Sequence, residues 1–191
     1  MSTLSNLDNS FTDKNSTHSY FDTYQSLFNS KQFNNNNILE IGVYSGGSIK
    51  LWNDFFPNSH IYGIDIHNNI NNSISNQLFN SSNITLFLNN DAYNNDFVLT
   101  HFNNKRFDII IDDGPHTLDS MISFIKLYSN LLTPDGILII EDIQDFNWIN
   151  ILISFTDDNL KPFIHIYDLR NNKNRYDDIL FVINKNSSSS N

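Results

Sequence analysis

Asp112, Asp113 and His116 close the stretch IIIDDGPHT at residues 109–117, and Glu141 and Asp142 close GILIIED at 136–142. Each acidic pair ends an apolar run, and one imidazole follows three residues after Asp113. Carboxylate oxygens suit a hard divalent cation such as Mg²⁺ or Ca²⁺, whereas zinc would favour His or Cys. Histidine is the side chain best placed to exchange a proton near neutral pH. Asp113, Glu141 and Asp142, expected to converge with no lysine or arginine between them, are therefore the candidate metal ligands, and His116 the candidate base. Taken singly, Asp113 reads as a turn residue before Gly114-Pro115, and Glu141-Asp142 as caps of whatever follows. Their joint placement favours the site.

The elements that must position them follow from the same runs. A continuous apolar segment bounded by turn residues is what a strand buried on both faces looks like, and such strands belong to parallel sheets covered by helices. Tyr20, Tyr24 and Phe28, at i, i+4 and i+8, predict a helix within residues 19–33. The strand NILEIGVY near Glu40 follows, then the turn and helix SGGSIKLWNDFF, and the strand HIYGIDI ending at Asp65. A looser helix is expected over 68–80. The strand NITLFLNND ends near Asp91, FDIIIDD is the fourth strand, LDSMISFIKLYSNLL a helix, and GILIIED the fifth strand. FIHIYDLR and DILFVINK, joined by a short polar loop, read as an antiparallel hairpin. The expected fold is α/β: a doubly wound, seven-stranded, mostly parallel Rossmann-like sheet with a C-terminal antiparallel hairpin. One domain is expected over 1–184, with a helical leader at 1–33 and a disordered tail at 185–191.

In such a sheet the carboxyl ends of parallel strands share one edge, the edge at which ligands bind. The first five strands each end in acid: Glu40, Asp65, Asp91, Asp112 with Asp113, and Glu141 with Asp142. Crowded carboxylates raise one another's pKa unless a cation or hydrogen-bond donors stabilise them. A cation or a set of hydrogen-bond donors is expected at that edge.

Composition narrows the partners. With 11 Lys+Arg against 21 Asp+Glu the formal net charge is −10, which argues against nucleic-acid phosphate or an anionic membrane surface. There is no cysteine, hence no disulfide or thiolate metal site. No segment has the length of a membrane span or the form of a signal peptide, so a soluble, cytoplasmic protein is expected. The asparagine clusters carry no mechanistic weight. Oligomeric state is open, a homo-oligomer included.

The first loop, EIGVYSGGS, departs from the dinucleotide fingerprint: two residues after Gly42 stands Tyr44 rather than a second glycine. E-x-G-x-x-x-G, running from Glu40 through Gly42 to Gly46, fits better. In this it resembles the class I S-adenosylmethionine-dependent methyltransferases. The resemblance implies that Glu40 and Gly42, with Tyr44, Gly46 and Ser48 of the same turn, lie by the methionine part of the cofactor. It implies further that Asp65 binds the ribose hydroxyls and Asp91 the adenine amino group, with Asp112 on the cofactor side of the fourth strand. The physics agrees, since two vicinal hydroxyls suit a carboxylate's two oxygens.

IDDGPHT with IIEDI, after LEIGVYSGGSIKLWNDFFPNSHIYGIDI and the leader TDKNSTHSYFDTY, is similar to a narrower group, the metal-dependent sugar O-methyltransferases of the mycinamicin and macrocin type. The likeness runs from residue 12 to 184. It implies Asp113, Glu141 and Asp142 as ligands of Mg²⁺ or another divalent cation and His116 as general base, acting on a hydroxyl of a sugar-containing small molecule or glycan. Pro115 stands where that group often has Ser. Asp13, Lys14, His18 and Tyr20 of the leader are expected to close over the cofactor. Two alternatives remain open: a catechol-type O-methyltransferase, with Trp148 as an aromatic wall, and a non-catalytic cofactor-binding domain that keeps Asp65 and the glycine turn but does not use the acidic cluster or His116.

Overall fold

The computed structural model describes residues 3–186. Seven strands, β1 (Asn37–Ile41), β2 (His60–Asp65), β3 (Ile84–Leu88), β4 (Phe107–Asp112), β5 (Leu132–Ile140), β6 (Ile164–Asp168) and β7 (Ile179–Asn184), form one sheet in the order β3-β2-β1-β4-β5-β7-β6. The first five run parallel; β7 is antiparallel to both β5 and β6. This is the expected architecture.

The apolar runs split between two cores because successive side chains of a strand point to opposite faces. Ile109 and Ile111 of β4 join Ile137 and Ile139 of β5 on one face, while Ile110, Leu138 and Ile140 lie on the other. Helices α1 (Phe21–Phe28), α2 (Gly47–Phe55) and α3 (Asn72–Asn80) cover the first face with Tyr24, Phe28, Trp52, Ile74 and Leu78. Helices α4 (Asn95–Phe102), α5 (Leu118–Tyr128) and α6 (Trp148–Phe155) cover the second with Val98, Phe102, Phe124, Tyr128 and Leu152. Full coverage on both sides explains why the central strands carry no polar alternation.

Some elements differ from expectation. The leader helix α1 is only eight residues and passes into a 3-10 turn at Asn29–Lys31. The expected helix over 68–80 starts at Asn72, because the Asn71 side chain accepts from Ser73 N and caps it. Helix α4 was not anticipated; Asn94 caps it in the same way, accepting from Asp96 N and Phe97 N. Helix α6 was likewise unread, and the hairpin loop holds a one-turn helix, α7 (Arg170–Lys173). Lys185 still belongs to the fold, its N–H donating to Gly136 O at 3.0 Å; residues 187–191 of the expected tail lie outside the described residues.

The order of the sheet reverses between β1 and β4, the crevice where open α/β sheets take ligands. Backbone bonds stitch the loops there into one surface. Gly42 N donates to Ile64 O at 3.0 Å, Asp113 N to Ile41 O at 2.8 Å, and Glu141 N to Asp112 O at 3.0 Å. The acidic strand ends are thus held in lateral register by the sheet itself.

Candidate active site

Gly42 leaves β1 with φ +89°, and a Cβ at this position would lie 1.8 Å from the carbonyl oxygen of Asp113. Only glycine allows the first loop to cross so closely over the fourth. Two cavities open on either side of this crossing. One, of about 390 Å³, is lined by Gly42, Tyr44, Asp65, Asp91, Tyr93 and Gly114, among others. The other, of about 480 Å³, lies between the leader (residues 10–13 and Ser16) and residues 42–45, Ser48, Asp113 and His116. The leader is pressed onto the start of α2, since a Cβ on Gly47 would lie 1.8 Å from Phe11 O. Together the two cavities form a trough of the kind a long nucleoside ligand needs, bridged by Gly42, Tyr44, Asp113 and Gly114, which line both.

In the first cavity Asp65 is held by the backbone. Its Oδ2 accepts from Tyr44 N and its Oδ1 from His67 N, both at 2.7 Å. Asp91 Oδ1 accepts from Tyr93 N at 2.9 Å. Both carboxylates keep lone pairs free for hydroxyl or amino donors. Asp112 is different: it is buried beneath the cavity, its Oδ1 accepting from the Tyr93 hydroxyl at 2.6 Å. Burial pushes its carboxyl up to about 7, opposed by the Tyr93 bond and reinforced by Asp113.

The acidic cluster at the ends of β4 and β5 is divided by the leader. The expectation of carboxylates with no cation between them is corrected here. Lys14, fully buried, places its ammonium 2.7 Å from Asp113 Oδ2, 2.7 and 2.8 Å from the two oxygens of Glu141, and 3.4 Å from Glu40 Oε1. Burial alone would pull the ammonium's pKa down, but Asp113, Glu141 and Glu40 outweigh it and hold it well above the usual lysine range. Tyr24 OH donates to Glu141 Oε1, and Trp52 Nε1 donates to Glu40 Oε2 at 3.1 Å. Burial raises the Glu40 carboxyl to about 7 against the pull of Lys14, and raises Glu141 well above the ordinary range.

Asp142 belongs to the other half of the cluster. Its Oδ1 accepts from Tyr20 OH and lies 3.3 Å from His18 Nδ1, while its Oδ2 lies 3.6 Å from His116 Nε2. His116 Nε2 is also 3.7 Å from Asp113 Oδ1. Donor atoms of Asp113, His116 and Asp142 lie within 4.8 Å of one another, as do those of Glu40, Asp113 and Glu141. Burial, then the Asp113 charge, raises the Asp142 carboxyl, while Tyr20, His18 and His116 lower it. Two facing carboxylates and a half-buried imidazole fit a hard cation with oxygen donors, or a hydroxyl whose proton must leave.

Backbone strain concentrates at the same place. Tyr44, His116 and Asp142 all have left-handed backbones, with φ of 46°, 52° and 54°, a conformation that non-glycine residues adopt at a cost of about 1–3 kcal/mol each. Pro115 fixes the approach to His116, and Thr117 follows as N-cap of α5 in a reciprocal capping box with Ser120. The imidazole is thus pinned between a proline and a helix start.

Of the expected cofactor residues, Gly42, Tyr44, Ser48, Asp65 and Asp91 line the cavities. Glu40, Gly46 and Asp112 lie behind them: Glu40 faces Lys14 and Trp52, and Gly46, φ +87°, is the N-cap of α2 against Leu78 and Ile70. Asp113 joins two triads, one with His116 and Asp142 and the other with Glu40 and Glu141, and Glu141 faces Lys14 and Tyr24 rather than His116. Sequence reasoning missed Tyr93 and Asp178 altogether, and read Tyr24 only as a helix-packing residue. It placed Lys14, His18 and Tyr20 over the cofactor, whereas their side chains reach the carboxylates. Asp178, whose Oδ1 is 2.6 Å from His18 Nδ1, and Lys173, whose Nζ donates to the carbonyls of Asn15 and His18, tie the hairpin loop to the leader. The TDK-H-Y spacing was the available signal; Asp113, Glu141, Asp142 and Asp178, which these side chains reach, lie 99 to 160 residues away.

Known proteins resemble this chain over much of its length. Mycinamicin VI 2''-O-methyltransferase of Micromonospora griseorubida is 31% identical over 121 residues, 58% of this chain and 28% of that protein. An 8-demethyl-8-alpha-L-rhamnosyl tetracenomycin-C 2'-O-methyltransferase of Streptomyces olivaceus is 25% identical over 160 residues, 76% of this chain and 39% of that one. This chain thus spans well under two thirds of those relatives. Among solved structures, the MycE methyltransferase of the mycinamycin biosynthetic pathway, in complex with Mg, SAH and mycinamycin VI, superposes with a TM-score of 0.65 at 20% identity, covering 92% of this chain and 52% of that one; that likeness speaks to the fold. A family model described as a methyltransferase domain matches residues 39–143, the span that holds the glycine turn and the acidic ends of the five parallel strands, and this chain belongs to that family.

Proposed function

We propose that residues 3–186 act as one catalytic unit that transfers a methyl group from S-adenosylmethionine to a hydroxyl of a sugar, with a divalent cation such as Mg²⁺ at the acidic cluster. The observation that carries the reading is the convergence of Asp113, Asp142 and His116 beside the trough that Gly42 crosses. The relatives' names, both of sugar O-methyltransferases, support the acceptor class.

Asp65, at the end of β2, and Asp91, three residues past β3, would hold the ribose hydroxyls and the adenine amino group, with Tyr44 and Gly42 lining the same cavity. Asp113 and Asp142, with Glu141 once free of Lys14, would hold the cation; when bound it supplies Lewis acidity toward a sugar hydroxyl and fixes that oxygen's orientation. His116 Nε2, half-buried and facing both carboxylates, takes the hydroxyl proton. The acceptor oxygen forms its bond to the methyl carbon as the sulfur–carbon bond breaks, and the sulfonium leaves as a neutral thioether. Asp113 and Asp142 stabilise the imidazolium that results. Alignment of oxygen, carbon and sulfur within the trough carries much of the rate.

Trp148, the wall that the catechol reading would need, is the first residue of α6, partly buried against the core, and lines neither cavity. The experiment that tests the proposal is transfer of labelled methyl from S-adenosylmethionine to a panel of nucleotide sugars, deoxysugars, glycosides and catechols, with Mg²⁺ or with chelator. Incorporation into a sugar that both chelator and His116→Ala abolish is the expected result. Cofactor binding without methylation of any diol would leave a binding domain in place of an enzyme.

A further inference from the structure

Lys14 is the feature that the proposed reaction does not use. An ammonium is strongly hydrated, and its full burial requires that its three donors be met by protein. Here they are met by Asp113 and Glu141 at 2.7 Å, with Glu40 at 3.4 Å. One positive charge thus faces three carboxylates. Two of these, Asp113 and Glu141, are the same side chains that the proposed function assigns to a divalent cation. The residues just before Lys14 also shape the trough. Ser10, Phe11, Thr12 and Asp13 wall the 480 Å³ cavity, and the Phe11 carbonyl is packed on Gly47. Lys14 is the charged anchor that joins this wall to the acidic cluster.

We propose that Lys14 is a built-in counter-ion that competes with a divalent cation for Asp113 and Glu141, so that filling the acidic cluster withdraws the lysine and loosens the leader over the cofactor trough. The inference rests on the proposed metal-assisted reading. Its physical basis is exchange of like for like. Removing an ion pair's cation leaves buried carboxylates uncompensated, which is strongly unfavourable, so the lysine leaves only when another cation enters. A divalent ion brings twice the charge to three carboxyl groups that otherwise share one ammonium. Without metal the lysine keeps the carboxylates paired and the leader closed.

The test uses the whole chain without substrate. The amines are acylated with a water-soluble reagent, in EDTA or in rising Mn²⁺, and read by peptide mass spectrometry, while bound Mn²⁺ is counted by its EPR signal. In EDTA, Lys14 is expected to react at least tenfold more slowly than with saturating Mn²⁺. Lys31, buried and paired with Asp135 of β5 away from the cluster, should not change. An unchanged Lys14 rate while Mn²⁺ binds would overturn the proposal and leave the metal reading standing. As a second arm, Lys14→Met is expected to bind Mn²⁺ at least tenfold tighter than the parent, and Lys14→Arg to stay near it. Equal affinity for parent and Lys14→Met overturns the competition alone. Absence of Mn²⁺ binding in all three proteins would remove the metal reading, and this proposal with it. Should Lys14→Met fail to fold, the labelling of the parent decides.

Discussion

The two ends of the trough are built by different physics. At the β2–β3 end, Asp65 and Asp91 are held by backbone N–H groups within two residues or of the neighbouring loop, and their side chains face a cavity. At the β4–β5 end, Asp113, Glu141 and Asp142 are held by side chains of the leader, Lys14, Tyr20 and Tyr24, from 99 to 127 residues away. Local backbone suffices where a carboxylate needs only orientation. Where several must share one space, the chain imports a cation and hydroxyl donors to stabilise them. The first end should therefore tolerate substitution as a matter of affinity, and the second as a matter of both chemistry and folding.

The sharpest way to separate them is His116→Ala. If the imidazole takes the acceptor's proton, methyl transfer should fall about 10²–10⁴-fold, while cofactor affinity, set at the other end, should stay within about threefold. Calorimetric titration with the cofactor and single-turnover methyl transfer measure the two separately. A parallel loss of both would mean that His116 shapes the trough rather than the chemistry.

Asp112 lies at the border of the two ends and offers a test by pH. Its carboxyl is raised from 3.8 to about 7 by burial, so the folded state holds the proton more tightly than the unfolded chain does. Stability from this group is therefore fully present below about pH 4, declines as pH rises to about 7, and is lost above. Asp112→Asn keeps an acceptor for the Tyr93 hydroxyl and removes the charge. In chelator it should unfold with about 2 kcal/mol or more of added stability at pH 8, and with little difference at pH 4. Denaturant titration at the two pH values checks this. An equal effect at both would point to packing.

Tyr24→Phe probes the leader's grip on the acidic end. It removes the hydroxyl that donates to buried Glu141 and leaves the ring stacked on Phe28, 5.2 Å between centroids. A loss of about 1–3 kcal/mol in unfolding free energy is expected for a buried acceptor deprived of a partner, smaller in Mg²⁺ than in chelator because the cation would supply what the hydroxyl no longer does. The same loss in both conditions would separate Glu141 from the cation site.

This division also explains what the sequence made legible. The strand ends were readable because apolar runs and the acids that stop them are local patterns, and a mostly parallel sheet closed by a hairpin followed from the alternation of elements. Gly42 was readable because a turn needing φ +89° leaves few other residues. Helices α4 and α6 were not: each is eight residues without the regular aromatic spacing that marks α1, which is equally short. The leader was half legible: Asp13, Lys14, His18 and Tyr20 stood out as types, but their targets were set by tertiary packing. Lys14 meeting Glu141 across 127 residues leaves no trace in local spacing. The crowded carboxyl groups do need stabilising, but the cation that meets Asp113 and Glu141 is Lys14, a residue type expected to be absent between them.

The smallest effect sharpens the comparison from the other side. Asp65→Asn keeps one oxygen to accept from Tyr44 N or His67 N but replaces the second acceptor by a donor. A ribose diol that presents two hydroxyl donors to one carboxylate loses one charge-assisted bond, worth about 1.4 kcal/mol, or about tenfold in Kd. Because the residue is partly exposed and its partners are backbone groups of its own and the adjoining loop, unfolding free energy should change by about 0.5 kcal/mol or less. Methyl transfer at saturating cofactor should hardly change. An effect on transfer at saturation, or a stability loss as large as that of Tyr24→Phe, would show that the β2–β3 end is not a local binding surface but part of the same interlocked network as the acidic cluster.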